Sequence, residues 1–133
     1  MSRRKLVEVS ADRWIIRARD ATVTGFQADV GRRLLLEFDT GLTLQVTGEW
    51  RATMGSPRTG SNVDLGSGRS LLGTKVLSLV LFDSGAVRLV LSNGLTITAR
   101  PGTAARISST LPGEYDWTSD AEGVTRHIAG LQG

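Results

Sequence analysis

Cysteine is absent from the 133 residues, which removes disulfides, thiolate metal sites and cysteine nucleophiles and leaves no sign of an oxidising compartment. Histidine occurs once, at His127. A serine triad would have to take its base there, and no Gly-x-Ser-x-Gly elbow accompanies it, so a surface histidine on a terminal strand is the expected reading. Long apolar runs are missing as well. The basic start, Met1 to Lys5, is followed by Glu8, Ser10, Asp12 and Arg13. No signal core or membrane span is expected from such a stretch, and the chain reads as cytoplasmic. Aromatics are 5% and the net charge is +3, a weak bias for a nucleic-acid binder. Charge is nevertheless uneven, because Glu114, Asp116, Asp120 and Glu122 lie within one short stretch. A molecule with two electrically different sides is expected.

What the chain does contain is alternation. Leu34, Leu36 and Phe38 alternate with Arg33, Leu35 and Glu37, and Leu42, Leu44 and Val46 with Thr43, Gln45 and Thr47. A period of two marks half-buried strands. Asp39-Thr40-Gly41 supplies a tight turn between them. The pattern returns 53 residues later, with Val87, Leu89 and Leu91, the turn Ser92-Asn93-Gly94, then Leu95 and Ile97. Residues 23–46 slide onto 76–99 without a gap, giving five identities in 24 positions, among them Leu36 with Leu89 and Gly41-Leu42-Thr43 with Gly94-Leu95-Thr96. The shared apolar phase and turn make this an internal duplication. Each copy reads as three strands, about 21–29, 33–39 and 42–49 in the first and 74–82, 86–92 and 95–100 in the second.

The expectation is therefore one all-β domain over 1–133, a duplicated three-stranded antiparallel meander (20–50 and 73–103) forming a small barrel or sandwich. Trp14 and Ile16 suggest an additional strand whose other face carries Arg13, Arg17 and Arg19. Residues 55–70, rich in Gly and Ser, read as a flexible linker. For 118–133, a strand at Val124 to Ile128 and a helical turn both remain open.

Leu71-Leu72-Gly73-Thr74-Lys75-Val76, Ser92-Asn93-Gly94-Leu95-Thr96-Ile97, Arg100-Pro101-Gly102, Glu114-Tyr115-Asp116-Trp117 and Gly123 together resemble a family of small actinobacterial proteins catalogued as a domain of unknown function. The resemblance covers about 20–50 and 70–124 and implies two β-meanders, with no activity, cofactor or partner attached. The Gly-rich linker and residues 103–113 depart from the family pattern.

Several segments invite a chemical reading. Glu114, Asp116, Asp120 and Glu122 could serve acid–base work or a hard cation, but Asp116 to Gly123 matches calcium-loop spacing poorly and a solvated turn is the plainer reading. Gly66 to Gly73 lacks the strand, the Gly-Lys-Ser or Gly-Lys-Thr ending and the helix of a phosphate loop. Arg13, Arg17, Arg19, Arg32 and Arg33 could form a phosphate-contacting surface of a small nucleic-acid-binding barrel. Tyr115 and Trp117, two apart on a strand and rimmed by Glu114, Asp116 and Asp120, have the composition of an interface centre, against packing as the default for large aromatics. Val76 to Phe82 is apolar on both faces and is expected either as a central strand or as a homodimer contact through Leu77, Leu79 and Leu81.

These residues point first to a non-catalytic protein-binding module without cofactor or metal, of which an inhibitor or immunity factor is one form. The nucleic-acid-binding barrel is the alternative, and an enzyme with carboxylates in a barrel mouth has the least support.

Overall fold

The computed structural model describes residues 7–18, 21–29, 33–48, 50–54, 61–62, 71–102 and 105–128. All regular structure among them is antiparallel β. In chain order the strands are β1 (Val7–Val9), β2 (Arg13–Ile16), β3 (Val23–Asp29), β4 (Arg33–Phe38), β5 (Thr43–Thr47), β6 (Trp50–Met54) and β7 (Ser61–Asn62). After these come β8 (Val76–Phe82), β9 (Val87–Leu91), β10 (Leu95–Ala99), β11 (Arg106–Leu111), β12 (Tyr115–Asp120) and β13 (Gly123–Ile128). They form a seven-stranded sheet in the order β1-β2-β8-β9-β10-β6-β7 and a six-stranded sheet in the order β13-β12-β11-β5-β4-β3. The architecture is an open sandwich and not a closed barrel.

Each repeat is a meander, as its alternation predicts, and the two lie in different sheets. The inward positions of both supply the core: Leu34, Leu36, Phe38, Leu44 and Val46 from β4 and β5, with Val87, Leu89, Leu91, Ile97 and Ala99 from β9 and β10. Gly41 and Gly94 close the equivalent turns at φ 92° and 89°, a left-handed conformation that glycine adopts without steric penalty.

The duplication extends to individual hydrogen bonds. Val23 N–H donates to Thr74 O at 2.9 Å and Val76 N–H to Ala21 O at 2.8 Å, either side of the Thr22–Lys75 bridge. Each bond becomes the other when the repeats are interchanged, so this bridge lies on a pseudo-two-fold axis. Asp39 N–H donates to Thr22 O at 2.9 Å, as Ser92 N–H does to Lys75 O at 2.8 Å. The Asp39 carboxylate accepts from Thr22 N–H and the Ser92 hydroxyl from Lys75 N–H in return. Both first strands also carry a bulge at the same place, Val23/Gly25 and Val76/Ser78. A bulge reverses the side-chain phase beyond it.

After its meander each repeat crosses to the opposite sheet. β6, following the first copy, pairs with β10 of the second, and β11, following the second, pairs with β5 of the first. β12 and β13 extend that edge, so Val124 to Ile128 belongs to a strand and not to a helical turn. The linker expectation changes too, since Ser61–Asn62 pairs with Thr53 and Met54; residues 55–60 and 63–70 lie outside the described residues. Among the described residues no helix is long and apolar enough to cross a membrane.

Candidate partner-binding face

The structure separates the acidic aromatic element into two sides. On β12, Tyr115, Trp117 and Ser119 point inward and are fully covered, whereas Asp116 is exposed on the outer surface. Tyr115 and Ser109 share a hydroxyl hydrogen bond of 2.7 Å, and Trp14 meets the Tyr115 ring edge-on at 6.2 Å. Burial pushes the Tyr115 hydroxyl well above the usual phenol range, with the Ser109 hydrogen bond opposing. The expected anchor of Tyr115 and Trp117 within a rim of acids is corrected on this point: the aromatics belong to the core. Alternation on a strand puts neighbours on opposite faces, so the acids cannot surround the rings. Glu114 sits half-buried in the preceding turn, and the Asp120 carboxylate accepts the Glu122 N–H at 2.8 Å, closing its own turn.

The proposed subunit contact is likewise redistributed. Leu79 and Leu81 are fully buried core residues, and only Leu77, at 46% exposure, reaches the surface. The bulge at Val76/Ser78 sets Leu77 out of phase with the other two.

Of the five arginines expected on one surface, Arg13 and Arg17 lie at the outer side of the seven-stranded sheet, and Arg33 stands on the six-stranded one. Arg19 and Arg32 lie outside the described residues. Register places new companions beside Arg13. Outward positions run Arg51–Thr98–Arg88–Val80–Ile15–Glu8 across the sheet. A neighbouring row holds Arg13 opposite Phe82, and alternation beyond Thr98 puts exposed Arg100 on the same side. The Arg13 guanidinium lies 5.0 Å from the Phe82 ring centre and that of Arg88 5.8 Å, contacts that fix both side chains against the aromatic. Ile15, Phe82 and Val90 are half-covered and Val80 is buried on this face.

Carboxylates engage two of these cations. Asp12 holds Arg13 at 2.8 Å and Glu8 holds Arg17 at 2.6 Å. The hydrogen bond from Arg13 keeps the Asp12 carboxyl below the usual carboxylate range, and the same contact raises the arginine. Arg51, Arg88 and Arg100 have no ion-pair partner among the described residues.

The other outer face differs at equivalent positions. Where the second repeat has Val80, Arg88, Val90, Thr98 and Arg100, the first has Gln27, Leu35, Glu37, Gln45 and Thr47. One row there reads Glu37–Thr43–Thr110–Asp116–His127, and another ends in Ser108, Thr118 and Thr125. Arg33 and Arg106 balance its carboxylates, so the expected two-sidedness takes the form of a basic face and a mixed, hydroxyl-rich one.

The basic corner is braced from the opposite sheet. Ser119 donates to Gly85 O at 2.6 Å, and Arg126 pairs with Asp83 while lying 5.7 Å from the Trp14 ring. A Cβ on Gly85 would stand 2.6 Å from Pro101 Cγ and 3.1 Å from Ser119 Cβ. The turn beside Phe82 therefore has no room for a side chain at residue 85. Among the described residues no cluster of three or more His, Asp or Glu gathers with metal-holding geometry, and His127 stands exposed opposite Asp116. No family model, curated protein or solved structure matches the chain.

Arg51, Arg88, Arg100 and Phe82 do not stand out from their own segments, because only strand pairing brings them to one face. Aligning the repeats and asking where their outward residues disagree would have found all except Arg51, which lies beyond the repeated meander.

Proposed function

We propose that the protein is a non-catalytic binding module that recognises an acidic protein through the outer face of its seven-stranded sheet. The observation carrying this reading is the divergence of outward residues between the matching meanders, which sets Phe82 between the Arg13 and Arg88 guanidiniums on a face that also carries Arg51 and Arg100, with Arg51, Arg88 and Arg100 lacking an ion-pair partner among the described residues. Arginine and aromatics around an aliphatic centre are the enriched components of protein interfaces. The guanidinium fork suits carboxylates bidentately. An inhibitor or immunity factor that covers an acidic surface of its target would need such a face.

Arg13 and Arg17 keep a nucleic-acid reading in view. Two features weigh against it: the Phe82 ring is already covered by arginines instead of offered for base stacking, and two of the five cations are engaged by Asp12 and Glu8. Affinity capture from native lysate tests both. Wild type and Arg33→Glu/Arg106→Glu should retain the same acidic protein at equal stoichiometry, and Arg51→Glu/Arg88→Glu should lose it. Equal retention by both double variants removes the face from consideration. Binding to an oligonucleotide at about 50 mM salt that collapses by about 200 mM would replace the protein reading with the nucleic-acid one.

A further inference from the structure

The strand order leaves each half of the chain incomplete. Residues 1–62 contain the meander β3-β4-β5 and two hairpins, β1-β2 and β6-β7, that among the described residues have no sheet neighbour from their own half. Residues 71–133 contain β8-β9-β10, flanked on both sides by those hairpins, and β11-β12-β13, whose inner edge needs β5. A lone two-stranded hairpin is marginal in water. The inward leucines of each meander also find their cover on the other, since the core draws on both. Covalently the halves are joined only through 63–70, Val-Asp-Leu-Gly-Ser-Gly-Arg-Ser.

We propose that the two halves are separable partners held by reciprocal strand exchange, so that two copies of this chain can trade their second halves and form a two-fold dimer. Every contact of the exchanged sandwich is the one already present in a single chain. The difference between the two forms is then confined to the 63–70 connection and the entropy of association, which makes the exchange dependent on concentration. The basic face is itself assembled across the exchange: Arg13 and Arg51 come from the first half, and Phe82, Arg88 and Arg100 from the second. An exchanged dimer carries that face twice, each built from two chains, and engages a multivalent partner with avidity. Exchange of this kind follows from the sheet order and the shared core, whatever the identity of the partner.

Two full-length variants test it. Leu36→Arg places a charge in the first meander and Leu89→Arg in the second, at fully buried positions, so each chain alone should remain unfolded. Refolded together from denaturant, they can build one intact sandwich from the two undamaged halves. The expected result is recovery of native tryptophan fluorescence, up to half the sites, in a species that light scattering sizes as a dimer. A mixture no more folded than either variant alone overturns the proposal. A second measurement replaces 64–69 with a protease recognition sequence and cuts it after folding. The pieces should co-elute one to one, with a Tm that rises with concentration where the uncut protein's does not. Pieces that separate and unfold overturn the proposal equally.

Discussion

The two outer faces of the sandwich are carried by meanders with matching turns, bulges and inter-strand bonds, yet their outward chemistry differs. On the six-stranded sheet, threonine, serine and glutamine rows hold Glu37 and Asp116 with Arg33 and Arg106 near balance. On the seven-stranded sheet, Arg13 and Arg88 flank Phe82, and Ile15, Val90, Arg51 and Arg100 share the same outward face. Inward positions stay apolar in both copies because each meander is the other's cover, whereas outward positions answer only to solvent and partner. Symmetry of the interior beside asymmetry of the exterior sets the residues that the fold requires apart from those that it leaves free to differ.

The interior half of that comparison carries the largest expected effect. Leu36→Ala and Leu89→Ala occupy equivalent, fully covered positions and should each cost about 2–5 kcal/mol, measured by urea denaturation. Costs that differ by more than about 2 kcal/mol would show that the two copies pack differently despite their matching bonds. Gly85→Ala comes next. It combines φ 96° with the approach to Pro101 and Ser119, and a loss of about 2–4 kcal/mol is expected from the backbone and overpacking costs together.

On the exterior, Phe82→Ala should weaken partner binding by about 2 kcal/mol, roughly thirtyfold, while Leu35→Ala on the opposite face leaves it unchanged in the same titration. Equal effects would erase the distinction between the faces. The single tyrosine probes the interior by pH. Its folded-state pKa is raised, so its contribution is complete below the unfolded value of about 10 and is lost as pH climbs above it. Stability should fall by at most about 1.4 kcal/mol per pH unit there, with Tyr115→Phe flattening the slope and phenolate absorbance appearing only on unfolding. The smallest effect is expected at Arg126→Ala. Its ion pair with Asp83 is half-exposed, and such pairs contribute less than about 1 kcal/mol, read as a Tm shift of a few degrees.

Much of this was legible in the residues. Alternation at Leu34 to Val46 and Val87 to Ile97 marks strands and their buried sides, and Gly41 and Gly94 mark the turns, because period and positive φ are local properties. The opposite orientation of Asp116 and Trp117 was equally available from alternation, although composition alone suggested a shared surface. Leu77 was not readable in the same way. A bulge shifts the phase of a strand without any signature in its own apolar run, so Leu77, Leu79 and Leu81 look equivalent until the pairing with β9 is known. The basic face was half visible: Arg13 stands out on its own strand, but only pairing brings Arg88 to the same Phe82 ring and puts Arg51 on the same side of the sheet.

By itself, then, the amino-acid order marked the strands of the two meanders and their phase outside the bulges, since both depend on residues within a few positions of one another, and the recurrence of one pattern 53 residues later marked the repeat. Only the tertiary structure decided that the copies occupy opposite sheets, that β6 and β11 cross between them, and which arginines share a surface. Those depend on contacts between distant segments, where register and crossover are chosen by how two apolar faces cover each other.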